Sequence, residues 1–182
     1  MLDHLTHPLK FKPYSSVKHL EGAGNWAVDK YYKWPHRYFY RHKVRMIERM
    51  LRGRRYSSIL DFGAGPNLMS NQWSKYAPDV YISDEGYEPK KQFDLIICAS
   101  VMEFVPLKET FNKLYSNLNP GGHIIVASPM KSELTQVYFD HLRDINTRHG
   151  HEDILSEMSR MFNIREYDSW LGLYFCALGI KR

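Results

Sequence analysis

The chain has 182 residues, of which 43% are hydrophobic and 25% charged, and this balance excludes a disordered or fibrous protein. The net charge is +5, and residues 1–55 carry 13 Lys and Arg against 4 Asp and Glu. No apolar run approaches the roughly 20 residues of a membrane span, and the first residues lack a signal peptide's apolar core. We therefore expect a cytoplasmic protein, built as a single domain over residues 1–182.

The two cysteines both lie inside apolar, strand-like runs. Cys98 follows Ile97, and Cys176 follows Phe175. A buried position favours two reduced thiols over a disulfide or a metal site, and it points to a reducing compartment.

The N-terminal part divides into an irregular arm and a basic helix. Residues 1–24 show no clear period and receive no role, whereas residues 36–51 have helical spacing and follow Pro35. The predicted core face of this helix consists of Tyr40, Val44, Ile47 and Leu51, and an adjacent stripe consists of Arg37, Arg41, Arg45, Arg49 and Arg52. Two interpretations of the stripe remain open. It is either the solvated face of a helix docked on a sheet or a surface for an anionic substrate, nucleic acid or lipid head groups.

The central motif is YSSILDFGAGPNLMSNQ, residues 56–72. An apolar strand ends in a glycine turn, and a helix-compatible segment follows. The glycines suit a turn that needs positive φ, and a Cβ at Gly63 or Gly65 is expected to occupy ligand space. The next apolar run, residues 80–83, is followed directly by Asp84 and Glu85. A carboxylate at this position can bind both hydroxyls of a ribose.

The remaining elements alternate between strands and helices. Residues 93–99 form a near-continuous apolar run that is typical of a buried parallel strand. The pattern then predicts a helix over 106–117, a turn at 119–122, a strand over 123–128, helices over 132–148 and 151–162, and strands over 163–167 and 173–178.

Three ordered segments carry a family resemblance. Asp61, Gly63 and Gly65 match the pattern hydrophobic-Asp-x-Gly-x-Gly-x-Gly, with Asn67 in place of the third glycine. The other two segments are FDLIICASVMEFV, residues 93–105, and LNPGGHIIV, residues 118–126. With these motifs the chain resembles the class I S-adenosylmethionine (SAM)-dependent methyltransferases.

The resemblance implies an α/β, three-layer Rossmann-like sheet. It is expected to be mostly parallel with a C-terminal antiparallel hairpin, and an N-terminal helical cap in residues 1–55 precedes the SAM-binding core, 56–182. Only about ten residues separate Asp84 from Asp94, too few for the usual helix and strand. We therefore expect six strands and a shortened adenine side of the pocket.

The cofactor implied by the resemblance is SAM. The residues that it assigns to the methionine and ribose side are Asp61, Gly63, Ala64, Gly65 and Asn67. Asp84, or Glu85 in its place, is assigned to the ribose, and Ala99, Ser100 and Val101 to the approach to the sulfonium.

No catalytic triad is expected, because the sulfonium already activates the methyl group and the protein mainly supplies alignment and a base. Candidate bases are Glu103, His123, His149 and His151. A metal site at the two last histidines is disfavoured, since a second ligand cluster is missing from the sequence, and a helix cap is favoured there.

The acceptor is the least constrained part of the hypothesis. The segment after the predicted strand 93–99 lacks the Asp/Asn-Pro-Pro-aromatic motif, which favours a small-molecule or lipid-like acceptor, anionic or neutral, over a base or glutamine amide. The alternative is a non-catalytic relative that binds nucleic acid or a partner through Arg37, Arg41, Arg45 and Arg49. A dehydrogenase ranks third, because the turn lacks Gly-x-Gly-x-x-Gly.

Overall fold

A computed structural model describes residues 36–64, 70–83, 91–132, 135 and 149–182. The predictions that fall outside these residues concern the arm 1–24, most of the helix 132–148, and Gly65, Asn67, Asp84 and Glu85. The helices are α1 (His36–Leu51), α2 (Ser70–Trp73), α3 (Leu107–Ser116) and α4 (His151–Met161). The strands are β1 (Ser58–Phe62), β2 (Asp79–Ser83), β3 (Phe93–Ala99), β4 (Leu118–Pro129), β5 (Phe162–Trp170) and β6 (Tyr174–Lys181).

The six strands form one mixed sheet in the order β2-β1-β3-β4-β6-β5. The pairs β1–β2, β1–β3 and β3–β4 are parallel, whereas β6 runs antiparallel to both β4 and β5. The predicted six-stranded Rossmann-like sheet with a C-terminal antiparallel hairpin is thereby confirmed.

Helices cover both faces of the sheet, which explains why its central strands are apolar at nearly every position. Ile59 and Ile97 pack with α1 and α2 on one face, and Leu60 and Ile96 pack with α3 and α4 on the other. The period of two in a strand thus divides the hydrophobic residues between two cores, and the result is the expected three-layer arrangement.

The cap helix α1 has the bounds that its spacing predicts. Val44, Ile47 and Leu51 are buried, as expected, and Tyr40 is half-buried. Four further positions, Phe39, Lys43, Met46 and Met50, are also buried, so the face docked on the sheet is wider than the predicted one. A helix covered by a sheet on one side typically buries such a broad stripe.

Strand β4 begins earlier than predicted, because the residues expected to form a turn before His123 belong to the strand. Between two successive pairs of the β3–β4 ladder, β4 advances from Leu118 to His123, whereas β3 advances only from Phe93 to Leu95. The additional residues form an irregularity that contains Gly121 at φ +70. Such a bulge accommodates the proline and the two glycines that indicated a turn, and the strand continues past them.

Other bounds shift by a few residues. Helix α2 ends at Trp73, and α4 ends at Met161, one residue before the predicted bound, because Phe162 already pairs with Lys181 in the hairpin. Both cysteines are free and buried, as predicted. Within the described ranges, no helix is both long and apolar enough to cross a membrane.

Candidate active site

The candidate site lies at the carboxyl ends of β1 and β3. The chain reaches β2 on one side of β1 and β3 on the other, so the order of the strands reverses here. In open α/β sheets ligands bind at such a switch point. Asp61 pairs with Ile97 and Phe62 with Cys98, so the segments that follow the two strands lie side by side.

The turn after β1 is held by the end of β2. The Gly63 N–H donates to the Ser83 carbonyl at 2.7 Å, and the Ala64 N–H donates to the same oxygen at 3.3 Å. Gly63 has φ +68, and a Cβ there would lie 2.4 Å from Val101 Cγ2. The side chain of Val101 therefore occupies the space that the sequence assigned to a ligand. Gly63 is required by its backbone conformation and by this contact.

Ser100 follows β3 in a conformation that is uncommon for a residue with a side chain. Its φ is +58, its N–H donates to the Ala127 carbonyl at 2.7 Å, and its Oγ accepts a hydrogen bond from Lys43 Nζ at 2.8 Å. A left-handed non-glycine residue costs on the order of 1–3 kcal/mol, and such residues cluster at functional sites. Ser100 thus joins the sheet to the cap helix at the predicted sulfonium position.

Lys43 is a site residue that the sequence analysis missed. It is completely buried, although lysine is almost never buried without a charged partner. The predicted core face of α1 contained only Tyr40 and apolar residues, and Lys43 was assigned to neither that face nor the arginine stripe. Lys43 lies three residues after Tyr40 and four before Ile47, so its position on that face was the available signal.

Lys43 belongs to a buried group of charges. Burial lowers the pKa of Lys43 to about 8, and the nearby carboxylates of Glu103 and Asp61 oppose that shift. Burial raises the pKa of Glu103. Hydrogen bonds from its own backbone and from Ser128, and the charge of Lys43, lower this pKa but do not outweigh burial. Ser128 Oγ donates to Glu103 Oε2 at 2.8 Å. The interior thus works against charge on both Lys43 and Glu103.

Asp61 and two tyrosines complete the surroundings of the ammonium. Asp61 is buried and accepts a hydrogen bond from Trp73 Nε1 at 3.0 Å. Lys43 Nζ lies 4.8 Å from the ring centre of Tyr40 and 5.9 Å from that of Tyr174, both within the range of a cation–π contact. Burial raises the pKa of Tyr174 well above its usual value, so this tyrosine stays neutral at physiological pH.

The histidine candidates are dispersed. His123 pairs with Leu95 near the amino end of the sheet, four residues before Ala127, and this spacing corresponds to about 13 Å along the strand. Its Nδ1 is 2.8 Å from the hydroxyl of Tyr56, so the structure places it outside the site.

His149 and His151 lie closer to the site but have different surroundings. The His149 N–H donates to the backbone carbonyl of Glu103 at 3.4 Å. The ring of His151 packs at 6.2 Å from that of Phe175, and its buried Nδ1 has no hydrogen-bond partner within the described part of the chain. Asp153 Oδ2 accepts the Gly150 N–H at 2.9 Å, which is the predicted helix cap. Metal-binding groups of three or more His, Cys, Asp or Glu residues do not occur among the described residues.

Part of the arginine stripe lines a separate groove. This groove has a volume of about 450 Å³ and is lined by Arg45, Glu48, Arg49, Arg52, Gly53 and Tyr76. Arg49 forms an exposed ion pair with Asp168 at 3.2 Å, and Glu48 forms one with Lys75 at 2.8 Å. The stripe therefore partly docks α1 onto β5 and partly borders the groove.

Sequence comparison identifies the family. Residues 34–171 match a sequence family described as a methyltransferase domain. The chain belongs to this methyltransferase family. It is a class I SAM-dependent methyltransferase, as the glycine turn and the two later motifs predicted. No curated protein matches the chain in sequence.

Solved methyltransferases have the same fold. NodS, an N-methyltransferase of Bradyrhizobium japonicum WM9 solved with S-adenosyl-L-homocysteine (SAH), superimposes with a TM-score of 0.62 at 14% identity, over 92% of this chain and 97% of NodS. A putative methyltransferase of Pseudomonas syringae gives 0.58 at 12% identity, over 79% and 99%. A putative Haloferax volcanii methyltransferase in complex with the Trm112 methyltransferase activator gives 0.59 at 11% identity, over 78% and 91%.

The residues of the site fit the cofactor of this methyltransferase. SAM is a cation, and cations bind best where carboxylates outnumber ammonium groups. Asp61 and Glu103 provide two buried carboxyl groups at the carboxyl edge, and Lys43 is the one cation that faces both of them within the described part of the chain. Two carboxyl groups facing one ammonium group give the acid-rich surroundings that a cation such as SAM prefers.

Proposed function

We propose that this methyltransferase transfers the methyl group of SAM to a small-molecule or lipid-like acceptor, anionic or neutral. The observation that carries the proposal is the hydrogen bond from Lys43 of the cap helix to Ser100 at the end of β3. This contact ties α1, which packs on one face of the sheet, to the carboxyl end of β3, so the helix borders the site. A site bordered by a helix in this way suits a small ligand, since small-molecule sites are concave and largely enclosed.

We also assign the cofactor contacts. The residues proposed for the methionine and ribose side are Asp61, Gly63, Ala64, Gly65 and Asn67. Asp84, with Glu85 as its substitute, is proposed for the ribose hydroxyls, and Ala99, Ser100 and Val101 for the sulfonium side. The bound cofactor supplies a methyl group that is already activated for displacement. The protein's task is therefore to align the acceptor and to take up its proton.

The ribose assignment predicts a difference between two neighbouring acids. Asp84→Ala should weaken SAM binding by one to two decades, because buried hydroxyls without a partner cost on the order of 1–3 kcal/mol. Support for this position comes from Ser83, the preceding residue, whose carbonyl holds the glycine turn. Glu85→Ala is the matched control and should bind SAM like the wild type in calorimetry. The reverse ranking would move the ribose contact to Glu85.

The acceptor class is tested with labelled SAM. The purified protein is incubated with methyl-labelled SAM and a cell extract separated into small-molecule, lipid, RNA and protein fractions. Label in the small-molecule or lipid fraction is the expected result. Label confined to RNA or protein would contradict the proposed acceptor.

The arginine groove favours a second candidate function, the binding of nucleic acid through Arg37, Arg41, Arg45 and Arg49. Arg45 and Arg49 line a groove in which three arginines face one glutamate. Phosphate contacts made by arginines produce an affinity that falls steeply with salt. Charge reversal at Arg45 and Arg49 should abolish RNA affinity if the groove binds RNA, and it should leave SAM affinity unchanged.

We place the protein in the cytoplasm. Both cysteines are buried free thiols, which fits a reducing compartment.

A further inference from the structure

Lys43 joins α1 to the end of β3, but the cofactor contacts assigned above give this buried cation no role in the reaction. Polar, charged or titratable groups surround it, both from its own helix and from the strands and turns packed against it. These are Tyr40 on its own helix, Asp61 on β1, Ser100 and Glu103 after β3, Ser128 on β4 through Glu103, and Tyr174 on β6. Among them only the two carboxyl groups, Asp61 and Glu103, can balance its charge at neutral pH.

Binding of SAM would bring a second positive charge to this group. SAM carries one net positive charge, from its sulfonium, ammonium and carboxylate, whereas the product SAH carries none. In an interior of low dielectric constant, two cations held by the same two carboxylates repel each other far more strongly than in water. Lys43 is the cation that can respond, because a lysine readily gives up its proton when it is buried.

We propose that Lys43 exchanges its proton for the positive charge of the cofactor: it is a neutral amine while SAM is bound, and it takes up the acceptor's proton when the methyl group leaves. The inference rests on the proposed placement of the sulfonium beside Ser100. Lys43 Nζ is anchored 2.8 Å from Ser100 Oγ, so its lone pair forms at the carboxyl edge where the acceptor must enter.

Charge and atoms balance in this step. A lone pair of the acceptor atom forms the new bond to the methyl carbon, and the carbon–sulfur bond breaks with its electron pair going to sulfur. The acceptor's proton moves to Lys43 Nζ. One positive charge disappears from sulfur and one appears on Lys43, so the total charge facing Asp61 and Glu103 stays constant.

Calorimetry of SAM and SAH tests the exchange without an acceptor. Each ligand is titrated into the full chain at pH 7 in two buffers of different ionisation enthalpy, which gives the number of protons released. With a pKa of about 8, Lys43 is mostly protonated in the free protein at this pH. Lys43→Met is the comparison, because the ligand's own amine titrates in both proteins. On binding SAM, the wild type should release about one proton more than Lys43→Met does. On binding SAH, the two proteins should release the same number of protons.

The same linkage predicts the pH dependence of affinity. We expect the ratio of SAM affinities, wild type over Lys43→Met, to rise about tenfold between pH 6 and pH 7, because one proton leaves for each SAM bound. The corresponding SAH ratio should stay constant. Lys75→Met removes a lysine that is paired with Glu48 at the surface, and it should behave like the wild type in every titration.

Lys43→Arg provides a second variant in case Lys43→Met does not fold. Arginine keeps its charge at all accessible pH values, so it should weaken SAM binding at least tenfold and leave SAH binding nearly intact. Two results would overturn the inference while SAM binding itself survives. One is that wild type and Lys43→Met release the same number of protons on binding SAM. The other is that Lys43→Arg lowers the affinities for SAM and SAH equally. Failure of the wild type to bind either ligand would overturn the proposed function and this inference together.

Discussion

Replacing Gly63 with alanine should lower the free energy of unfolding by about 3 kcal/mol. Part of this loss is conformational, because an alanine at φ +68 is disfavoured by about 1 kcal/mol or more. The larger part is steric. The new Cβ would lie 2.4 Å from Cγ2 and 2.7 Å from Cβ of Val101, so the backbone of one of the two turns must move. Denaturant unfolding followed by circular dichroism measures the change.

Gly53 is a matched control for the conformational part. It has φ +74, and a Cβ there meets no heavy atom within 4 Å. Gly53→Ala should therefore cost only about 1 kcal/mol. Adding Val101→Gly to Gly63→Ala should recover most of the steric loss in a double-mutant cycle. A Gly63→Ala protein no less stable than Gly53→Ala would show that the two turns do not pack as described.

Raising the pH from 8 to 10 should increase the free energy of unfolding of the wild type, relative to Lys43→Met, by about 2 kcal/mol. The pKa of Lys43 is lowered from 10.5 in the unfolded chain to about 8 in the native protein. In this window the unfolded chain binds more protons than the native one, so the native state gains stability as the pH rises. Below pH 8 both states are protonated, and the desolvation cost of the native ammonium is fully present.

The comparison with Lys43→Met is needed because other buried groups act in the opposite direction. Burial raises the pKa of Tyr56 to about 12 and raises those of Cys98, Tyr174 and Cys176. These acids keep their protons in the native state after the unfolded chain has lost them, so they reduce stability as the pH rises. Their effect is present in both proteins and cancels in the difference. Parallel stability curves between pH 8 and pH 10 would refute the assignment of a titrating ammonium to Lys43.

Much of the fold was predictable because its signals are local. The apolar runs of β1 and β3, the helical spacing of α1 and the acid that caps α4 each depend on residues within a few positions of one another. The bulge in β4 was not predicted. A proline and two glycines indicate a turn in isolation, whereas pairing with β3 allows the same residues to remain in a strand.

The residues proposed for the candidate site came from the resemblance of short motifs to the family. Asp61, Gly63 and Ser100 belong to two such motifs, and the parallel register of β1 and β3 brings their segments together. Lys43 was missed because a lysine on a helix is usually solvated. Val101 was assigned to the sulfonium side, and its contact with Gly63 was not anticipated, since each residue was considered only within its own turn.

The sequence by itself determined the order of the elements, because a strand period, a helical stripe and a glycine turn are properties of short segments, and its resemblance to the class I methyltransferases indicated the family and the cofactor. Only the tertiary structure decided which charges share the site. Lys43 and Ser100 are 57 residues apart in the chain, and their contact exists because α1 packs on the face of the sheet beside the carboxyl end of β3. That docking removes water from Lys43 and Glu103, and removal of water is what shifts both pKa values.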